Sequence, residues 1–151
     1  MERWQNLLAT LSELARAVRC CHQEDLCGEG ITFVQFTIMN FIQGRGTVPL
    51  AELHRALEVD KSTTTRLLAP LVRRGLVVKR KSPADARTLE VCLSEEGQRR
   101  WERSWACLQG FLQAVDTRLP ADRREQVYED VRLYVQALRA ACGACRCGAC
   151  E

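Results

Sequence analysis

"LAELHRALEVDKSTTTRLLAPLVRRGLVVKRKSPADARTLEVCL", residues 50–93, is the stretch whose reading decides the fold. Leu50, Leu53 and Leu57 form one face of a short helix, with Pro49 at a favoured first-turn position. The connection "EVD" is tight. Asp60 is placed to cap a second helix over "KSTTTRLLAPLVRRG", which Gly75 closes. Pro70 lies inside that helix and removes one backbone donor, so a bend is expected around Arg66 to Pro70. After Gly75 the period changes from helical to alternating. "LVVKRK" and "TLEVCL" read as two strands joined by the turn "SPADAR". Leu89, Val91 and Leu93 share one face of the second strand, leaving Glu90 and Cys92 on the other. Two short helices around a tight turn, followed by a basic hairpin, make a winged helix-turn-helix pattern.

The flanks are helical. Upstream, Trp4, Leu7, Leu8, Leu11, Leu14, Ala15 and Val18 recur at helical spacing, and Cys27, Gly28 and Gly30 break the pattern. "TFVQFTIMNFI" reads as a further helix, with Thr32 as its cap and Gly44 and Gly46 ending it. Downstream, Ser94 caps a long helix striped by Trp101, Trp105, Leu108, Leu112, Val115 and Leu119. Pro120 interrupts it, and Val127, Val131, Tyr134, Leu138 and Ala141 stripe the last helix. The helices at the chain ends carry much apolar surface away from the short central ones, so they are expected to meet a second copy of the chain.

Charge points to the partner. Between Lys61 and Arg87 stand eight basic residues (Lys61, Arg66, Arg73, Arg74, Lys79, Arg80, Lys81, Arg87) and one acid, Asp85, whereas the whole chain nets only +3. A stripe of one sign is the footprint of a nucleic-acid surface, whereas a merely solvated face mixes both. In the second helix of the pair, Ser62, Thr63, Thr64 and Arg66 lie on the side away from Leu67, Leu68 and Leu71, with Arg73 further along. Short hydroxyl side chains permit close approach to base edges and phosphates, and arginine can pair bidentately with guanine. Lys79, Arg80, Lys81 and Arg87 cluster near the hairpin tip, within reach of backbone phosphate or an adjacent minor groove. Asp85, two residues before Arg87, is placed to hold that guanidinium.

Other classes fit poorly. The two histidines, His22 and His54, have no metalloprotease spacing, and no glycine loop cradles phosphate, so no enzyme is expected. No uninterrupted apolar run approaches the roughly 20 residues of a membrane span. The opening "MERWQNLLATLSEL" lacks the basic and continuously apolar segments of a secretion signal, so the expected setting is the cytoplasm, with reduced thiols.

In order and spacing, this stretch continued to "LSEEGQRR" at residue 100, with "DART" in the wing followed by "LSEEG", resembles the MarR family of winged-helix transcriptional regulators. The resemblance covers roughly residues 1–141. It implies a mainly α fold with a small β-hairpin wing, residues 31–93 forming the DNA-binding part and residues 1–30 plus 94–141 the dimerisation helices. It further implies a homodimer that sets two reading helices and two wings on a double-stranded, inverted-repeat operator, as a repressor would. Residues 142–151 lie beyond it as a cysteine-rich tail.

The resemblance leaves nine cysteines unexplained. Cys142, Cys145, Cys147 and Cys150 are separated by small residues and one arginine, which lets several sulfurs converge on one ion. Cys20, Cys21 and Cys27 form a second group at the end of the first helix. Soft thiolates favour Zn(II), Cu(I), Cd(II), Hg(II) or As(III). Zinc sensors of the family use histidine-rich sites that have no counterpart here, so a toxic thiophilic metal or metalloid is the expected effector. Two alternatives stand beside it. One is peroxide sensing, with Cys20 or Cys21 oxidised to a disulfide with a tail cysteine; the other is release by a small organic ligand. Cys92 and Cys107 are expected to be structural.

Overall fold

The computed structural model describes residues 2–21 and 26–144, with the side chains at 18–21, 26 and 142–144 outside that description. The chain divides into two compact units, Met1–Leu108 and Gln109–Glu151. In the first, α1 (Glu2–Cys21) ends before a 3-10 turn at Leu26–Gly28. Cys27 (φ 59°) and Gly28 (φ 79°) take left-handed backbone conformations there, so the chain cannot continue as a helix. Then follow α2 (Phe33–Gln43), β1 (Thr47–Pro49), α3 (Leu50–Leu57), α4 (Lys61–Arg73), β2 (Val77–Lys81), β3 (Leu89–Leu93) and the start of α5 (Glu95–Asp116).

The helix ends are built by the residues the sequence nominates. Thr32 and Gln35 make a reciprocal capping box on α2. Asp60 caps α4 by accepting from the Thr63 amide, and Gly75 leaves that helix at φ 69°. Ser94 Oγ accepts from the Gly97 amide at 3.0 Å to open α5. Gly97 is required by packing: a Cβ there would run into the backbone carbonyl of Leu76. α4 runs through Pro70 as one helix to Arg73.

One strand was not legible. β1 joins the hairpin as its third strand, in the order β1-β3-β2, all antiparallel. Thr47 faces Cys92, Val48 faces Val91 and Pro49 faces Glu90. Three residues are too few to show an alternating period, and Pro49, expected inside the first helical turn, lies at the strand end, where its missing N–H is tolerated. The core of this unit gathers Ile31, Phe36, Ile38, Met39 and Ile42 with Val48, Leu53, Leu68, Leu71, Leu76, Val77, Val91 and Leu108. It therefore holds α3 and α4 against the sheet and α2, fixing the pose of the helix pair and wing.

The second unit contains the rest of α5, a 3-10 turn (Ala121–Arg123) after Pro120, and α6 (Arg124–Ala144). Tyr128 donates to Asp116 at 3.0 Å, and Arg124 pairs with the same carboxylate at 3.4 Å. The helix runs to Ala144, past residue 142 where the tail is expected to start, so the backbone of Cys142 belongs to α6. Leu112, Val131, Leu133 and Leu138 stay exposed. Among the described residues no helix is long and apolar enough to cross a membrane.

Candidate nucleic-acid interface

The phase of α4 determines which side chains face outward. Thr64, Leu68 and Leu71 are buried, while Lys61, Ser62, Thr65, Arg66 and Arg73 are exposed and Thr63 is half-buried. Thr64, expected among the readers, therefore belongs to the core. It sits four and seven residues before Leu68 and Leu71, which is one helical stripe, and its hydroxyl bonds the Asp60 carbonyl at 3.3 Å. Thr65 takes its place on the outer face, with its hydroxyl on the Lys61 carbonyl at 2.8 Å. Extending the Leu71–Leu68 stripe back one turn would have identified this exchange from sequence.

Asp60 organises the start of that face. Its carboxylate accepts the Ser62 hydroxyl, the Thr63 hydroxyl at 2.6 Å and the Thr63 amide at 2.8 Å. The Ser62 and Thr63 hydroxyls, followed by the Thr63 amide, hold the Asp60 carboxyl well below the usual carboxylate range, so it stays ionised. With their protons committed to Asp60, Ser62 and Thr63 offer lone pairs outward, which suits acceptance from a base amino group.

The wing presents its cations with less internal pairing than its sequence suggested. Asp85 holds the Arg87 amide at 2.9 Å and the Thr88 hydroxyl at 2.9 Å, bonds that also lower its pKa. It thus shapes the turn and does not hold the Arg87 guanidinium, which is exposed and makes no ion pair among the described residues. Lys79 and Lys81 are likewise exposed. Arg80 is partly spent inside the sheet, 3.7 Å from Glu90 and 3.3 Å from the Thr47 hydroxyl. Arg74 turns away altogether, donating to the backbone carbonyls of Glu29 and Gly30. Thr65, Arg73 and Lys79 line one open groove between α4 and β2. What remains outward is a cationic surface on two neighbouring elements.

One of the proposed thiol ligands is arranged differently from the expectation. Cys27, placed by sequence among the metal ligands, is bonded to Cys107 in a disulfide with Cα atoms 6.1 Å apart. A sulfur in a disulfide is not a thiolate ligand, and Cys107 is more than a filler of the helix surface. The side chains of Cys20, Cys21 and Cys142, and the whole of Cys145, Cys147 and Cys150, lie outside the described residues. Among the described residues no group of three or more His, Cys, Asp or Glu is arranged to hold a metal ion, and Cys92 is a half-buried free thiol.

Residues 29–88 match the sequence model described as MarR family. The uncharacterized HTH-type transcriptional regulator YhbI of Bacillus subtilis is 32% identical over 93 residues, 58% of this chain and 59% of YhbI, so the match spans about three-fifths of that relative. A cysteine-to-serine mutant of MarR from E. coli, complexed with operator DNA, is similar in fold with a TM-score of 0.70 and 26% identity, covering 85% of this chain and 96% of that one. A MepR-like protein complexed with pseudoligands has a TM-score of 0.71 at 20% identity, covering 95% and 99% respectively. These relatives are regulators, not enzymes.

Proposed function

We propose that this chain is a winged-helix transcriptional regulator of the MarR family that binds an inverted-repeat DNA duplex as a cytoplasmic homodimer and represses transcription from it. The observation that carries the reading is the outward cationic surface of α4 and the wing, where Arg66, Arg73, Lys79, Lys81 and Arg87 are exposed beside the Asp60 cap. Support comes from the similarly folded MarR mutant, whose structure contains operator DNA. Ser62, Thr63, Thr65 and Arg66 read the major groove, and Arg87 with Lys81 holds phosphate or the adjacent minor groove. Two heads require a second copy, and the exposed apolar residues of α1 and α6, among them Trp4, Leu8, Val131 and Leu133, favour one. Gel-shift titrations over a salt series test this. Arg87→Ala, which removes one cation from each of the two wings, should weaken binding and reduce the salt slope by about two. An unchanged slope removes the wing from the interface.

The finer reading is that soft ions control this binding through thiolates. Its support is the spacing of Cys142, Cys145, Cys147 and Cys150 and the pair Cys20 and Cys21; Cys27 leaves the ligand set because of its bridge to Cys107. Anaerobic operator binding by the reduced chain, challenged with As(III), Cd(II), Hg(II), Zn(II) or Cu(I), tests it. Release that is lost in a chain truncated after Ala141 places the sensor in the tail. Release by peroxide alone selects the redox alternative, in which Cys20 or Cys21 is oxidised to a disulfide with a tail cysteine.

A further inference from the structure

The short loop carrying Cys27 is fastened on two sides. Toward α5, Cys27 is bonded to Cys107, the Glu29 carboxylate grips Arg103 at 2.6 and 3.0 Å, and Arg100 donates to the Glu29 carbonyl at 2.8 Å. Toward the reading helix, the Glu29 carbonyl accepts from Arg74 at 3.0 Å, and the Gly30 carbonyl accepts from the same guanidinium. Arg74 is the C-terminal cap residue of α4. The loop therefore connects a disulfide to the end of the helix that faces DNA.

The fastenings differ in strength. Arg103 is half exposed, and exposed ion pairs hold weakly. The covalent bridge closes a sequence separation of 80 residues, so it is the tie whose loss frees the loop most. Both cysteines are exposed, which leaves the bridge open to exchange with thiols.

We infer that the Cys27–Cys107 disulfide is a redox latch on the reading helix: closed, it holds the Glu29 and Gly30 carbonyls where Arg74 caps α4, and opened, it loosens that helix end and weakens DNA binding. The chemistry balances with a dithiol and a peroxide as co-reactants. A dithiol's thiolate attacks one sulfur, breaking the S–S bond and forming a mixed disulfide. Its second thiol then displaces the remaining cysteine. Two electrons and two protons pass to Cys27 and Cys107, and the reductant leaves as its own disulfide. In closure, peroxide oxidises one thiol to a sulfenic acid with release of water, and the other thiol displaces that oxygen as a second water.

The DNA consequence rests on the proposed function, whereas the latch itself is read without DNA. The full chain, oxidised with hydrogen peroxide or reduced with dithiothreitol, is followed by hydrogen exchange. The amides of Arg74, Gly75 and Leu76, bonded to Pro70, Val72 and Leu71, report the end of α4. Reduction should speed their exchange about fivefold or more, and a duplex selected from a random pool should bind about fivefold tighter to the oxidised chain. Cys107→Ser, with the other cysteines in place, should behave as reduced under both conditions. Arg74→Ala should still form the bridge yet lose the redox dependence. Equal exchange in the two states, or redox dependence that persists in Cys107→Ser, overturns the latch. Equal duplex affinity in the two states overturns its regulatory role. A chain that binds no duplex in either state sinks the DNA reading, while the exchange data still decide the latch.

Discussion

The winged-helix part and the terminal helices treat similar residues in opposite ways. Leu53, on α3, is fully buried, whereas Val131, on α6, is 52% exposed and Trp4, on α1, 66% exposed. Both sets recur at helical spacing, so periodicity alone does not distinguish them. The difference shows that an apolar stripe specifies only that a face needs covering, and chain position decides whether the cover lies within the same chain. The central helices meet each other and the sheet at once; the terminal ones are left with faces that a second copy can close.

Leu53→Ala is the strongest attack on this contrast. Removing a fully buried leucine side chain should cost about 2–5 kcal/mol, read as a lower denaturant midpoint with unchanged slope. A loss under about 0.5 kcal/mol would mean that the central core is not the stable part. Val131→Asp sharpens the contrast from the other side. Because the position is exposed in the single chain, folding within one copy should change by no more than about 0.5 kcal/mol, while sedimentation should shift from twice the chain mass to one. A dimer that survives the substitution places the interface on another face.

The smallest effect is local to α4. Asp60 has its carboxyl pKa depressed, first by the Ser62 hydroxyl, so its contribution is present above the ordinary aspartate value of 3.8 and is lost as pH falls through the depressed one. The protection of the first amides of α4, taken relative to their intrinsic exchange rates, should fall as the medium is acidified below about pH 4, and Asp60→Ala should remove that dependence. Protection that does not change with acid in the unsubstituted chain would show that the cap does not hold the helix start. Asp60→Ala should leave the terminal helices undisturbed.

Much of this was legible because it is local. Thr32, Asp60 and Ser94 bond amides three residues on, and the "DART" turn closes on itself, so each announces its structure within a few residues. Thr64 and Thr65 were exchanged because three successive threonines look alike until the helix phase is fixed by Leu68 and Leu71. β1 escaped notice because its partner, β3, lies some forty residues away in sequence and only three of its own residues pair. The Cys27–Cys107 bond is invisible for the same reason, since nothing near either cysteine names the other. A reading that groups thiols by sequence proximity assigns Cys27 to Cys20 and Cys21 instead.

Arg74 illustrates how a contact can leave little trace in a lineage. It is bound by main-chain carbonyls, so the side chain at position 29 can drift without releasing it, and paired substitutions at 29 and 74 would not mark the contact. Position 30 is the exception. Gly30 has φ +64°, and a Cβ there would come within 3.3 Å of the Arg74 guanidinium. Among related chains, the trace to expect is therefore a small residue opposite an arginine, with no acidic partner for the charge.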